Sequence, residues 1–232
     1  MITSEQVKIW EKNIDRKAAK VRADRVIKAI KKYNPSTKNV LELGVGLGAV
    51  LIYLSKKYKV SGLDLHKEYV QIAKKRIPSA EIYAQSMHNF KINNNFDVIF
   101  SVHECINEVK PYNHWESTFE NAFKHLNNKG LFIFDMRTEK HLEDMKKQLV
   151  KLEKTPTGYI YDNTIVKGNQ LIWDTTYFKK LSNGNYKIEK DSYSEEIYPI
   201  SKVKQTLSKH FTILETIFVN NKTRVMFICR KN

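Results

Sequence analysis

The feature that most constrains this chain is a turn of three glycines, Gly44-Val-Gly46-Leu-Gly48, set between an apolar run at 39–43 and a helical stretch at 49–57. Glycine in such a turn lets the backbone double back sharply and lets a ligand approach it without side-chain obstruction. The pattern downstream fixes the class. Short apolar runs at 59–64, 81–84, 96–101 and 131–135 alternate with amphipathic stretches at 66–76 and 114–126. Strands that are apolar on nearly every residue and separated by helices belong to a parallel sheet covered on both faces. An α/β, Rossmann-like core over residues 39–137 is therefore expected.

The flanks read differently. Thr3 with Gln6 has the spacing of a capping box. Beyond it Val7, Trp10, Ile14, Val21, Val26 and Ile30 recur at helical spacing, so residues 1–38 should form two helices, a lid, ended by Pro35. After Glu139 a helix is expected over 139–152. Three antiparallel strands should then fill 158–198, joined at Lys167-Gly-Asn-Gln170 and Ser182-Asn-Gly-Asn185, since glycine and asparagine tolerate positive φ. Tyr159, Tyr161, Trp173, Tyr177, Tyr186 and Tyr193 make this insert aromatic. Residues 138–200 are thus a helix plus an inserted β subdomain, either a substrate cap or a dimer surface. Residues 201–232 return to the core through a helix at 201–210 and a closing hairpin at Asn220-Asn221.

At 232 residues the chain holds one substantial core with a small subdomain, and not two full domains. Cys105 and Cys229 have neither metal-ligand nor redox spacing, which predicts no metal site and fits a reducing cytosol. No apolar run is long enough to span a bilayer and the first residues lack a signal peptide's apolar stretch, so a cytoplasmic protein without membrane partners is expected, monomer or homodimer. The net charge of +15 raises anionic partners: nucleic acid, or a phosphorylated or otherwise anionic small molecule. Against nucleic acid, the lysines are scattered and not interleaved with aromatics on one face, as on a solvated helix surface.

Three details separate the glycine turn from that of a dinucleotide-binding dehydrogenase, which would carry something similar. The spacing is Gly-x-Gly-x-Gly and not the Gly-x-Gly-x-x-Gly that seats a pyrophosphate on a helix N-terminus. Glu42 stands just before the first glycine, where it would repel pyrophosphate but suit an ammonium group. Asp64 ends the second strand, where a carboxylate can accept from both hydroxyls of a ribose. Together these suit S-adenosylmethionine.

The runs Val40-Leu-Glu-Leu-Gly-Val-Gly-Leu-Gly48, Gly62-Leu-Asp64-Leu-His66, Ile77 to Phe90 and Phe96-Asp-Val-Ile-Phe-Ser101 resemble a class I S-adenosylmethionine-dependent methyltransferase. More narrowly the chain is similar to the small bacterial enzymes that include amino-sugar N,N-dimethyltransferases. The resemblance is close over 38–137 and one of layout beyond. It implies a seven-stranded, mostly parallel sheet with its last strand antiparallel. It also implies that Glu42, Gly44 and Gly46 meet the methionine end of the cofactor, Asp64 the ribose, and Leu65 the adenine. Ser101, at the end of strand four, joins this set. The loop after strand three, which in that family reads Gly-Asp-Met-Arg-Asp-Phe, here reads Gln85-Ser86-Met87-His88-Asn89-Phe90. Ser86 replaces the aspartate expected to accept from the adenine amino group, and an uncharged bond is roughly half as strong. Met87 would offer its backbone N–H and an apolar wall.

Methyl transfer is an in-line displacement in which orientation supplies most of the acceleration, and a base helps if the acceptor arrives protonated. Candidates are His103 and Glu104 after strand four and Asp135, with Arg137, after strand five. His66 and His88 read as cofactor-rim residues and Cys105 as packing. The expected activity is methyl transfer to a nitrogen or oxygen of a small molecule. The alternatives are an RNA or protein methyltransferase, disfavoured by the absence of the Asn/Asp-Pro-Pro-Tyr/Phe signature after strand four, and a non-catalytic cofactor-binding regulator.

Overall fold

The computed structural model describes Val7, residues 10–147 and residues 150–232. The Thr3–Gln6 capping box lies outside these residues. Residues 10–12 are helical, and helix α1 (Arg16–Tyr33) comes next, its first turn capped by Asp15, whose side chain accepts from the Ala18 N–H at 2.9 Å. Then β1 (Asn39–Leu43), α2 (Leu51–Leu54), β2 (Lys59–Asp64), α3 (Lys67–Arg76), β3 (Glu81–Ala84), β4 (Phe96–Ser101), α4 (Tyr112–His125) and β5 (Leu126–Arg137) alternate as their apolar pattern requires.

These strands build a seven-stranded sheet in the order β10-β11-β5-β4-β1-β2-β3, where β10 (Phe211–Val219) and β11 (Arg224–Lys231) are the closing hairpin. β1 through β5 are mutually parallel, and β11 runs antiparallel to β5, so the last strand is the reversed one. The hairpin turn holds Asn220, Asn221 and Lys222 at positive φ. Successive strand residues feed opposite faces. Val40, Val60, Val98 and Ile133 pack under α1, α2 and α3, while Leu41, Ile99, Phe132, Phe134 and Phe227 pack against Trp115 and Phe119 of α4 and Val203 of α6 (Ile200–Leu207). Burying each of these large side chains contributes about 1.5–3 kcal/mol, which is why this sheet is the rigid part of the molecule. It also presents the carboxyl ends of β1, β2, β4 and β5 along one edge.

The insert departs from expectation at its start. The helix α5 (Glu139–Met145) stops short, and Val150–Thr155 is a strand, β6, so the second sheet has four strands, β6-β7-β8-β9, all antiparallel. β7 (Gly158–Lys167), β8 (Gln170–Lys180) and β9 (Tyr186–Glu196) complete it, with both expected turns in place. The physical reason is β6 itself: an edge strand whose residues are nearly all exposed, without the apolar face that marks a strand in a sequence. The predicted helix at 49–57 contracts for a related reason, to the single turn of α2, because the glycines ahead of it occupy the length needed to turn.

Polar side chains of the core fasten the insert to it. The Asn107 amide donates to the Glu196 carbonyl at 2.8 Å and accepts the Arg137 N–H at 2.9 Å. Arg137 pairs with Glu195 and lies over the Trp173 ring at 5.3 Å. Lys110 donates to the Ser194 hydroxyl.

Candidate functional site

The sheet changes direction of progression between β1 and β4, and the crevice outside their carboxyl ends is where an open α/β sheet takes its ligand. The glycine turn lines that crevice, with Gly44, Gly46 and Gly48 at φ +76°, +51° and +76°. A Cβ on Gly44 would stand 2.9 Å from the Cys105 Cβ, whereas one on Gly46 would meet nothing within 4 Å. The first glycine is therefore demanded by packing, and the second leaves the turn open on its outer side. Asp64 holds the turn from below. One carboxylate oxygen accepts the Gly46 N–H at 2.8 Å, the other the His66 N–H at 2.9 Å. Burial raises its pKa against these bonds.

Two neighbours in the crevice keep unbonded polar atoms. Glu42 is 2 % exposed, with Oε2 unbonded although the carboxyl takes a hydrogen bond from the Leu51 backbone, and the Ser101 hydroxyl, 1 % exposed, is unbonded. β1 and β4 are in register at Glu42 and Phe100, so these groups stand at adjacent strand ends. Burial and the charge of Asp64 push the Glu42 pKa well up. A buried carboxyl with no counter-charge is expensive, and a ligand ammonium would relieve it. The donor set thus fits S-adenosylmethionine: a carboxyl for the amino end, an acid at ribose distance along β2, and an open glycine between them.

On the β3 side, Leu65 is 66 % exposed, a bare apolar surface at the crevice rim, and Met87 packs towards Gly44. Ser86 Oγ is bonded to His88 Nδ1 at 2.6 Å, and the His88 ring stacks on His114 at 4.0 Å with planes 1° apart. Burial, then the neighbouring His114, lowers the His88 pKa. With the ring neutral, the serine hydroxyl retains a lone pair for a donor in the crevice.

The residues expected to do chemistry fall into two groups. His103, in left-handed conformation at φ 72°, is open to solvent; burial of its flanks and then Arg22 push its pKa down to about 4, so it is a neutral imidazole. Glu104 and Asp135 lie beneath it, each 2 % exposed. Glu104 pairs with Arg224 and, at 3.6 Å, with Arg137, while its N–H donates to Asp135 at 2.8 Å. Burial first, then Glu104, lifts the Asp135 pKa to about 6. Glu104 anchors a buried ion-pair cluster, and Asp135 is tied to it through the Glu104 N–H. Arg22 of α1 brings a buried Nε with no partner to the same cluster, and burial lowers its pKa.

Sequence reasoning stopped at Glu104 and missed the turn beyond it. A 3-10 turn at Cys105–Glu108 packs Cys105 against Gly44 and aims Asn107 at the insert. Its last residue, Glu108, is solvent-accessible and has no hydrogen bond or ion pair among the described residues. Glu195 and Tyr193 of β9 complete this wall; Tyr193 stood out only as one aromatic of the insert, and Glu195 gave no signal in the sequence. Beyond Tyr193 a cavity of about 390 Å³ opens between residues 10–14 and the insert, lined by Trp10, Asn13, Asp162, Thr175 and Tyr177. Both polar atoms of the Asn13 amide and the Tyr177 hydroxyl are buried there without partners.

Comparison with known proteins agrees with this geometry. Residues 40–130 match the family described as a methyltransferase domain. A Bacillus subtilis protein named putative methyltransferase YqeM is 27% identical over 120 residues, 50% of this chain and 49% of that protein. The chain thus spans about half the length of the curated relatives it matches. A crystal structure of an S-adenosylmethionine-dependent methyltransferase from Clostridium acetobutylicum superposes with a TM-score of 0.84 at 19% identity, covering 98% of both chains. SAM-bound CalS10, an amino pentose methyltransferase from Micromonospora echinaspora, superposes with a TM-score of 0.78 at 14% identity, covering 100% of this chain and 98% of that one. At such identities the structural likeness establishes the fold.

Proposed function

We propose that this chain, built around a class I methyltransferase domain, moves the methyl group of S-adenosylmethionine to a nitrogen of a small polar molecule. The observation that carries the reading is the buried Glu42 carboxyl, with one oxygen unbonded and no counter-charge, beside the open glycine turn, with Asp64 one strand away. Glu42 would hold the cofactor's ammonium, Asp64 its ribose, and Leu65, Ser86 and Met87 its adenine. The cofactor supplies an activated methyl on a sulfonium.

The chain's own residues position the acceptor. Residues 10–14 and the insert, which line the cavity, would cover the crevice mouth, and excluding water there would strengthen each polar contact made inside. The unpartnered Asn13 amide and Tyr177 hydroxyl, with Trp10 beside them, suit a hydroxyl-bearing ring. The structural likeness to an amino pentose methyltransferase supports the same class of acceptor. Arg22, its Nε unpaired, would take an anionic substituent of the acceptor. Glu104 and Asp135 act as positioning residues, fixing the backbone that carries His103.

Calorimetry tests the premise. Micromolar-range binding of S-adenosylmethionine and S-adenosylhomocysteine is expected, and folded protein giving no heat with either would remove the methyltransferase reading. The net charge favours RNA as a second acceptor class. Tight RNA binding that survives physiological salt, with methylation of the RNA, would replace the small-molecule reading. No helix among the described residues is long and apolar enough to cross a membrane.

A further inference from the structure

Methyl transfer to nitrogen needs a free lone pair, and an aliphatic amine at neutral pH is almost wholly protonated. A group on the crevice wall that accepts the proton would raise the reactive fraction. His103 is held neutral among the guanidinium groups of Arg22, Arg224 and Arg137, which oppose any further positive charge. Glu104 and Asp135 are buried in ion pairs or backbone bonds. Glu42 faces the cofactor's amino end. One carboxylate at the mouth of the crevice is left without a task.

We propose that Glu108 is the catalytic base, the carboxylate that takes the acceptor's proton at the point of methyl transfer. The inference rests on the methyltransferase reading. Its place in the fold carries it. Glu108 closes the 3-10 turn that begins at Cys105, and Cys105 sits directly against Gly44 of the glycine turn. The neighbouring Asn107 is fixed by its bonds to Arg137 and Glu196, so the turn has little freedom to move. Glu108 therefore stands between the cofactor crevice and the insert, at the sheet's switch point, with its side chain unengaged.

The surrounding charges suit the task. Although the Glu108 side chain reaches solvent, the protein packed around it raises its pKa to about 7, with Glu195 of β9 and then Asp64 of β2 adding to it; Arg137 of β5 and Lys110 act the other way. Tyr69 of α3, Tyr193 of β9 and Cys105 also feel its charge, and all three have raised pKa values of their own, first through burial, so they face it as neutral groups. A base near pH 7 accepts a proton and returns it within one turnover. The acceptor's ammonium gives its proton to the Glu108 carboxylate. The freed nitrogen lone pair then forms the N–C bond as the S–C bond breaks, leaving a methylammonium product and neutral thioether, and the carboxyl proton passes to solvent.

The test needs no acceptor. Sinefungin carries an amine where S-adenosylmethionine carries its methyl-bearing sulfonium, and S-adenosylhomocysteine carries no charge there. The amine of sinefungin, like that of lysine at about 10.4, stays protonated across the range used. The methionine amino group is common to both probes and cancels in their ratio. The ratio of sinefungin to S-adenosylhomocysteine affinity is measured by calorimetry from pH 5.5 to 8. It should rise about tenfold, one unit of linked titration, with a midpoint near 7. Glu108→Gln should bind S-adenosylhomocysteine with a flat ratio, and Glu108→Asp should restore the rise. A flat ratio in the unsubstituted protein, or a rise that persists in Glu108→Gln, would overturn the proposal while leaving the cofactor reading intact. Failure of both probes to bind at any pH would instead sink the methyltransferase reading, and this proposal with it.

Discussion

The two sheets of this molecule are made by opposite means. In the larger one the central strands are apolar on both faces, and the rings of Phe132, Phe134, Phe119 and Phe227 meet with centroids 5.0–5.8 Å apart. In the smaller one the buried apolar residues are few, Leu171, Trp173 and Tyr177 with Ile197 just beyond β9, and Leu152, Ile188 and Tyr186 lie on the surface. The large sheet is held by the removal of apolar surface from water. The small one is held by backbone ladders, hairpin turns and a few polar fastenings to the core. One region is specified everywhere along its length, the other at a few points. Glu42, Asp64 and the glycine turn, the groups proposed to hold the cofactor, stand on the first. The unpartnered groups suited to a variable acceptor stand on the second and on the segment facing it.

The contrast is sharpest in stability. Phe134→Ala should cost about 3–5 kcal/mol, whereas Leu152→Ala on exposed β6 should change little, within about 0.5 kcal/mol. Denaturant unfolding of both variants checks this, and equal losses would erase the distinction. Asp64→Ala tests the core's ligand role: cofactor binding should weaken by roughly 1.5–3 kcal/mol through loss of charge-assisted hydrogen bonds. A dissociation constant that does not move would mean the second strand has been given the wrong part. Asn107→Ala tests the fastening itself. Leaving the Arg137 N–H without its acceptor costs about 1–3 kcal/mol, and amide exchange should quicken in β8 and β9 while β1 and β4 stay protected. Exchange rising uniformly would make the two sheets a single cooperative unit. Smallest is Ser86→Asp, which should tighten cofactor binding by about 1 kcal/mol or less by offering a charged acceptor in place of the hydroxyl. A large loss would show that Ser86, His88 and His114 are fitted to each other and tolerate no charge.

Legibility divided along the same line. The order of strands 39–43, 59–64, 81–84, 96–101 and 131–135 could be read from apolar runs, because full burial leaves no other composition available. The positions of the glycine turn, Glu42 and Asp64 at the strand ends were readable because a sharp turn after a buried strand needs glycine, while their roles toward the cofactor stay part of the proposal. β6 was hard to read, since its alternation is carried by two apolar residues, Val150 and Leu152, both exposed, directly after a helical stretch. Glu108 and Asn107 escaped because a single 3-10 turn has no periodicity. The pairing of Glu104 with Arg224 joins segments more than a hundred residues apart in sequence, and only the folded hairpin brings them together.

The Asn107 amide touches the chain twice, at Arg137 where it leaves the core and at Glu196 where it comes back. Topologically, then, the whole second sheet is a detour that begins and ends within the width of one side chain. Such a detour can be lengthened, shortened or exchanged without stretching the sheet it springs from. A short linker from β5 to α6 would bridge the gap and leave the core's strand order untouched. The same crevice could in this way be fitted with a different roof, so that acceptors change while the cofactor's seat does not.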